Sequence, residues 1–207
     1  MTDEPDYNSA EAWDRIWALE GIKTWRRYPA TAQIIGKCIP VRATILELGC
    51  GVGVLSRYLK DGGRMVRGLD ISPLAIRLLK IVHNIDGEVF DVRSGMLPFA
   101  DQQFDWCVAS QFLEHFTAEE SEKIVAEAAR VATSAIFVVP NNTLDHEQTK
   151  EHHQVFTKES LNALLTRHFK NVRISTFSDT FETPEMGANT GISLPVIFAR
   201  CSRENLL

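Results

Sequence analysis

Gly49, Gly51 and Gly53 stand at alternate positions directly after the apolar run 45–48, and Glu47 lies near the end of that run. Only glycine tolerates so tight a turn while letting a ligand approach bare backbone. The neighbouring acid points to a ligand that carries hydroxyls or positive charge, not phosphates alone. Asp70, Asp91, Gln111 and the pair Pro140-Asn141 each fall at or near the end of a later apolar run. An acid about 20 residues beyond a glycine loop suits a pair of ribose hydroxyls. The nicotinamide fingerprint nevertheless fails, because Val54 stands where its third glycine belongs. No Gly-Lys-Ser/Thr follows to make a phosphate loop. An adenosine ligand without a pyrophosphate accounts for both the retained acid and the missing glycine.

Other residues could move protons or meet a second substrate. Glu114-His115 offers a base, since a histidine near its reference pKa can accept a proton at neutral pH. A polar run from Asp145-His146-Glu147 to Glu151-His152-His153 could hold a ligand, but its spacing matches none of the standard zinc signatures, so no metal is expected. His153 is expected to point inward, because Val155 and Phe156 begin an apolar pattern beside it. Tyr7, Trp13 and Trp17 are candidate contacts for an acceptor near the front of the chain, and the stretch 179–190 is a second candidate lid.

These residues need elements to hold them. Strands are expected over 43–48, 65–69, 88–92, 104–109, 134–139, 172–177 and 192–201. Between the earlier ones lie helical patterns over 52–59 and 72–82, then helices opening at Thr117 and Thr157. Ser72-Pro73 is a capped helix start, and Thr117 with Glu120 matches a capping box. Alternating strands and helices predict a Rossmann-like, doubly wound α/β sheet of seven mostly parallel strands with helices on both faces. The return from the sixth to the seventh strand lacks a helix, which predicts an antiparallel last strand at the sheet edge, where Pro195 is tolerable. Residues 1–40, with helices over 9–20 and 31–38, read as an N-terminal helical lid segment, and 41–207 as the main domain. In such a sheet ligands sit beyond the carboxyl ends of the strands, where the candidate residues converge.

Composition narrows the partners. A formal charge of −5 and no long basic block argue against general nucleic-acid binding. Cys38, Cys50, Cys107 and Cys201 form no CxxC pair, and no apolar run is long enough to span a bilayer. A reduced, cytoplasmic setting is expected.

The segments ILELGCGVG (45–53), GLDIS (68–72), DVRSGMLPFADQQFD (91–105) and WCVASQFLEH (106–115) resemble the class I S-adenosylmethionine-dependent methyltransferases, most closely the small enzymes that act on metabolites. The resemblance covers about 43–177. It implies S-adenosylmethionine as cofactor, with Glu47, Gly49, Gly51 and Gly53 around its methionine part and Asp70 on the ribose hydroxyls. It also implies Ile71 against the adenine, Asp91 accepting from the adenine amino group, Val92 contacting the ring through its backbone, and Gln111 at the methionine end or the substrate. The activity implied is methyl transfer to a small-molecule nucleophile, with a protein or peptide acceptor, or a non-catalytic partner protein of the same fold, as alternatives.

Overall fold

The computed structural model describes residues 8–20, 29–141, 152–181 and 192–203. Seven strands form one sheet: β1 (Thr44–Leu48), β2 (Met65–Asp70), β3 (Asp86–Val89), β4 (Phe104–Ser110), β5 (Ala132–Pro140), β6 (Asn171–Phe181) and β7 (Ile192–Ser202). Their spatial order is β3-β2-β1-β4-β5-β7-β6. The first five run parallel, while β7 is antiparallel to both β5 and β6. The helices are α1 (Ala10–Glu20), α2 (Pro29–Cys38), α3 (Val54–Asp61), α4 (Pro73–His83), α5 (Ala118–Val131) and α6 (Lys158–Leu165).

Successive strand residues face opposite sides of a sheet, and the central strands are apolar on both. Leu46 and Leu48 of β1 join the core cluster that holds Ile124, Val125 and Ala128 of α5 and Leu161 and Leu165 of α6. Ile45, just ahead of Leu46 and on the opposite face, packs with Ile35 of α2 and Leu59 of α3. The doubly wound, mostly parallel fold is therefore as the sequence predicts. Both expected helix starts are present: Ser72 Oγ accepts from Ala75 N–H at 2.9 Å, and Thr117 and Glu120 close a reciprocal capping box.

Two expectations are corrected. The antiparallel last strand is not at the edge: β7 is inserted between β5 and β6, and β6 forms the edge. Pro195 is accommodated by register. The ladder with β5 ends at Pro140 opposite Val196, so Pro195 meets no further β5 residue and only its carbonyl is used, accepting from Asn141 N–H at 2.9 Å. The third strand is Asp86–Val89, not 88–92. Its partner β2 stops at Asp70, whose carbonyl takes a last bond from Phe90 N–H at 2.9 Å. Asp91 then accepts from Arg93 N–H and turns the chain into a 3-10 turn over Val92–Ser94. Asp91 thus lies past the strand, in the turn that follows it.

Of the stretch 1–40, the two described helices behave differently. Ile35 of α2, with Ile39 just beyond that helix, is packed into the core beside Ile45, Trp106 and Val108. Instead of capping itself, α2 borrows a residue from β6: the buried Asp179 carboxylate accepts from Ala30 N–H at 3.1 Å and Thr31 N–H at 2.6 Å. Pro29 ahead of them has no N–H to satisfy. Asp179→Ala is expected to lower stability by about 1–2 kcal/mol, the usual value of a lost helix cap. A shifted urea midpoint at constant slope checks this, and an unmoved midpoint would mean the cap carries no weight.

Candidate active site

The loop between β1 and α3 is built on backbone that other residues resist. Gly49, Gly51 and Gly53 have φ of 64°, 51° and 89°, all left-handed. A Cβ on Gly49 would sit 2.2 Å from Phe112 Cδ2, and one on Gly51 would sit 2.6 Å from Trp17 Cζ2. Two aromatic rings therefore lie against the bare backbone, Phe112 from the loop after β4 and Trp17 from α1. Glu47, 4% exposed at the end of β1, accepts a hydrogen bond from Ser56 Oγ in the first turn of α3. Burial pushes its carboxyl up to about 8, against the pull of Ser56, and the neighbouring Asp70 adds to the rise.

Asp70 ends β2 and is 8% exposed. Its Oδ2 accepts from Gly51 N–H at 2.8 Å and its Oδ1 from Ser72 N–H at 2.9 Å. One carboxylate thus fastens the glycine loop to the start of α4. Burial pushes its carboxyl up to about 6, with the backbone donors opposing and Asp14 reinforcing the shift. A carboxylate offers about four lone-pair sites, so acceptor capacity remains beyond these two bonds, with the Ile71 N–H also acting on the group. Ile71 follows, half-buried.

Asp91 is held in a fork by Arg93. Nε contacts both carboxylate oxygens at 3.0 and 3.1 Å, and Nη2 bonds Oδ2 at 2.9 Å. Burial pushes the Asp91 carboxyl up, but the bonds from Arg93 outweigh it and hold the group below its ordinary value. Val92, half-buried, begins the turn that follows.

On the far side of the cleft, Gln111 takes a left-handed backbone (φ 53°) just after β4, with its N–H on Val138 O at 2.8 Å. Its side-chain Nε2 is buried without an acceptor. The 3-10 turn Leu113–His115 comes next. Glu114 is 1% exposed, and neither of its carboxylate oxygens has a hydrogen-bond partner. Burial pushes this carboxyl up to about 8, only partly offset by the nearby backbone N–H groups of Glu114 and Phe112. The His115 ring stands edge-on to Trp13 and to His152, each at 5.1 Å between centroids.

The expectation for His153 is corrected. His153 is exposed and His152 turns inward, because the 152–154 backbone docks on Glu114: His153 N–H and Gln154 N–H bond the Glu114 carbonyl at 2.8 and 3.1 Å. That docking turns the preceding residue's ring toward His115. Tyr7 lies outside the described residues, as do Asp145, His146, Glu147 and Glu151 and most of the candidate lid 179–190.

Helix α1 lies across this whole face. Trp13 and Trp17 stack at 6.0 Å. Asp14, between them, accepts from Ser72 Oγ and from Leu74 N–H at 3.1 Å, latching α1 to the start of α4. Just ahead of α1, Asn8 Nδ2 donates to the His115 carbonyl at 2.9 Å, and the Asn8 carbonyl accepts from Arg93 at 3.3 Å. The structure therefore brings together Glu47, the three glycines, Asp70, Gln111, His115, Trp13 and Trp17. It adds Asp14, Ser56, Arg93, Phe112 and His152, which sequence reasoning had not placed there. A serine four residues into a presumed amphipathic helix gave no such signal; the histidine run did, one position off.

Residues 46–139 match a family described as a methyltransferase domain. A ubiquinone biosynthesis O-methyltransferase from Methylobacterium sp. is 33% identical over 97 residues, 45% of this chain and 39% of that one. A demethylmenaquinone methyltransferase from Tropheryma whipplei is 31% identical over 103 residues, 46% of this chain and 40% of that one. The chain spans between about a fifth and two fifths of the length of these and another curated relative. In fold, it is similar to a Haloferax volcanii methyltransferase solved in complex with the Trm112 methyltransferase activator, with a TM-score of 0.71, 16% identity, and 98% of this chain and 100% of that one covered. No helix among the described residues is long and apolar enough to cross a membrane.

Proposed function

We propose that the chain, whose residues 46–139 match a methyltransferase domain, is a class I S-adenosylmethionine-dependent methyltransferase that transfers a methyl group to a small-molecule nucleophile by in-line displacement. The observation that carries this reading is the placement of Asp70. A buried carboxylate adjoins a glycine loop where a Cβ on Gly49 or Gly51 would collide with an aromatic ring. Such a cradle fits an adenosyl group without a pyrophosphate. The cofactor supplies a methyl already activated on a sulfonium, so the protein's task is position and electrostatics.

Asp70 takes the ribose hydroxyls, Ile71 and Val92 flank the adenine, and Asp91 accepts from its amino group beside Arg93. Glu47 braces the glycine loop through Ser56. Gln111 offers its buried, unpartnered Nε2–H to the methionine end. Trp13 and Trp17 cover the cleft and exclude water, which keeps the nucleophile aligned. Removal of the acceptor's proton falls to the Glu114–His115–His152 cluster. A small acceptor is supported by the two relatives named for quinone methylation and by the aromatic walls that Trp13 and Phe112 provide.

The test is transfer of isotopic label from the methyl donor to a panel of hydroxylated aromatics, amines, thiols and basic peptides. Label in a small molecule is expected. Label confined to peptides would replace the acceptor class, and a protein that binds no methyl donor would end the enzymatic reading. His115→Ala is expected to lower kcat by about 100-fold, the usual contribution of a proton-transfer group, with donor affinity within about twofold of wild type. A kcat unchanged at every pH would remove His115 from the proton's path.

A further inference from the structure

Glu114, His115 and His152 place their ligand atoms within 4.8 Å of one another. We propose that these three side chains bind one divalent cation of the zinc class and leave a coordination position open toward the acceptor.

Three observations converge. Glu114 is 1% exposed, and both of its oxygens lack a hydrogen-bond partner. Buried oxygens without a partner are costly, and a bound cation would satisfy them. Next, two imidazoles reach the same point from separate segments, one from the turn after β4 and one from the segment before α6. Their convergence is fixed by backbone, since the Glu114 carbonyl itself accepts from His153 and Gln154. Last, the donor set selects the ion. Two ring nitrogens and one carboxylate suit zinc and its neighbours, whereas calcium and magnesium take oxygen alone. Three protein ligands with a fourth position open is the arrangement of catalytic rather than structural zinc.

Tetrahedral bonds of about 2.1 Å set donor atoms about 3.4 Å apart, so the side chains must draw inward by roughly an ångström on binding. Both rings are half-buried, so the shift is one of side-chain rotation rather than of the sheet. Linear spacing could not announce this site, because the second histidine lies far along the chain from the Glu-His pair. In the loaded state His115 serves as a ligand and not as the base, and the metal would polarise an acceptor oxygen so that its proton passes to solvent water at neutral pH while the oxygen takes the methyl from the sulfonium. The acceptor's place at the open position rests on the methyl-transfer reading; ion binding itself does not.

The test uses the full chain, stripped with chelator and titrated with Co2+. One equivalent is expected to give the intense visible absorption of a low-coordinate cobalt site, and Zn2+ should abolish it by displacement. Glu114→Gln and His152→Ala should each weaken binding by at least about tenfold, as loss of a ligand does, while the exposed neighbour His153→Ala should leave it unchanged. Circular dichroism shows which variants are folded, and His152→Ala, which removes only a half-buried ring, decides the matter if the buried Glu114 variant is not. Failure to bind cobalt stoichiometrically overturns the proposal. Equal losses in His152→Ala and His153→Ala also overturn it, since they signify chelation by surface histidines. Calorimetry with S-adenosylmethionine on the same protein keeps the two readings apart: a bound ion without donor affinity removes the methyl-transfer function and leaves the ion site standing.

Discussion

Asp70→Ala is expected to weaken S-adenosylmethionine binding by about 10- to 150-fold in calorimetry, with the protein still folded. The estimate is the 1.5–3 kcal/mol typical of hydrogen bonds to a charged group. Alanine removes more than the ribose acceptor, because it also strips the bonds to Gly51 and Ser72 that join the glycine loop to α4. Asparagine is no conservative control. Two backbone N–H groups point at this side chain, and an amide meets one of them with a second donor.

The same residue sets a pH dependence whose sign differs between free and loaded protein. Burial raises the Asp70 carboxyl to about 6 in the fold, above its unfolded value. The free protein therefore holds this proton more tightly when folded. That contribution to stability is complete in acid and is lost as pH rises through about 6. Glu47, raised to about 8, pulls the same way over a higher window. With Asp70 in its proposed ribose role, donor binding runs opposite, since it would need the ionised carboxylate as a double acceptor. Affinity is expected to fall by up to about tenfold per pH unit below about 6 and to level off above 7. A flat affinity between about pH 5 and 8, or an Asp70→Ala variant with wild-type affinity, would remove the carboxylate from the ribose.

Most of the candidate site's placement was legible because it sits where hydrophobic period meets punctuation. Gly49, Asp70 and Gln111 follow apolar runs whose direction a parallel sheet fixes, so their convergence needed only the strand count. Features set by tertiary register were not legible. The helix-less return before Ile192 said that β7 runs antiparallel, but nothing local tells a strand to insert beside β5 instead of lying outside β6. Asp14 reads as a solvated acid on an amphipathic helix, and only the position of α1 turns it into a latch on Ser72. The inward histidine was misplaced by one residue for a similar reason. In an extended stretch neighbours alternate faces, and which one turns in depends on the bonds that His153 and Gln154 make to a carbonyl far back in the chain.

Gly51 and Gly53 are expected to separate when each is replaced by alanine, because their missing side chains face different things. Gly53→Ala should cost about 2–5 kcal/mol of stability. It would strain a left-handed residue, worth about 1–2 kcal/mol, and drive a Cβ to 2.4 Å from Leu79 Cδ1 and 3.0 Å from His83, where overpacking adds about 1–3 kcal/mol. Leu79 is fully buried against Ile85 and has nowhere to retreat. Gly51→Ala carries the same backbone strain, but its Cβ meets only the rim of Trp17, a half-buried indole on α1 that can swing away. Its stability loss should stay near the strain alone, and the larger effect should fall on donor affinity as the cover over the loop is pushed off. Urea denaturation and calorimetry on the pair give the comparison. If Gly51→Ala destabilises the fold as much as Gly53→Ala while sparing donor affinity, the loop is a packing turn and its backbone cradles nothing.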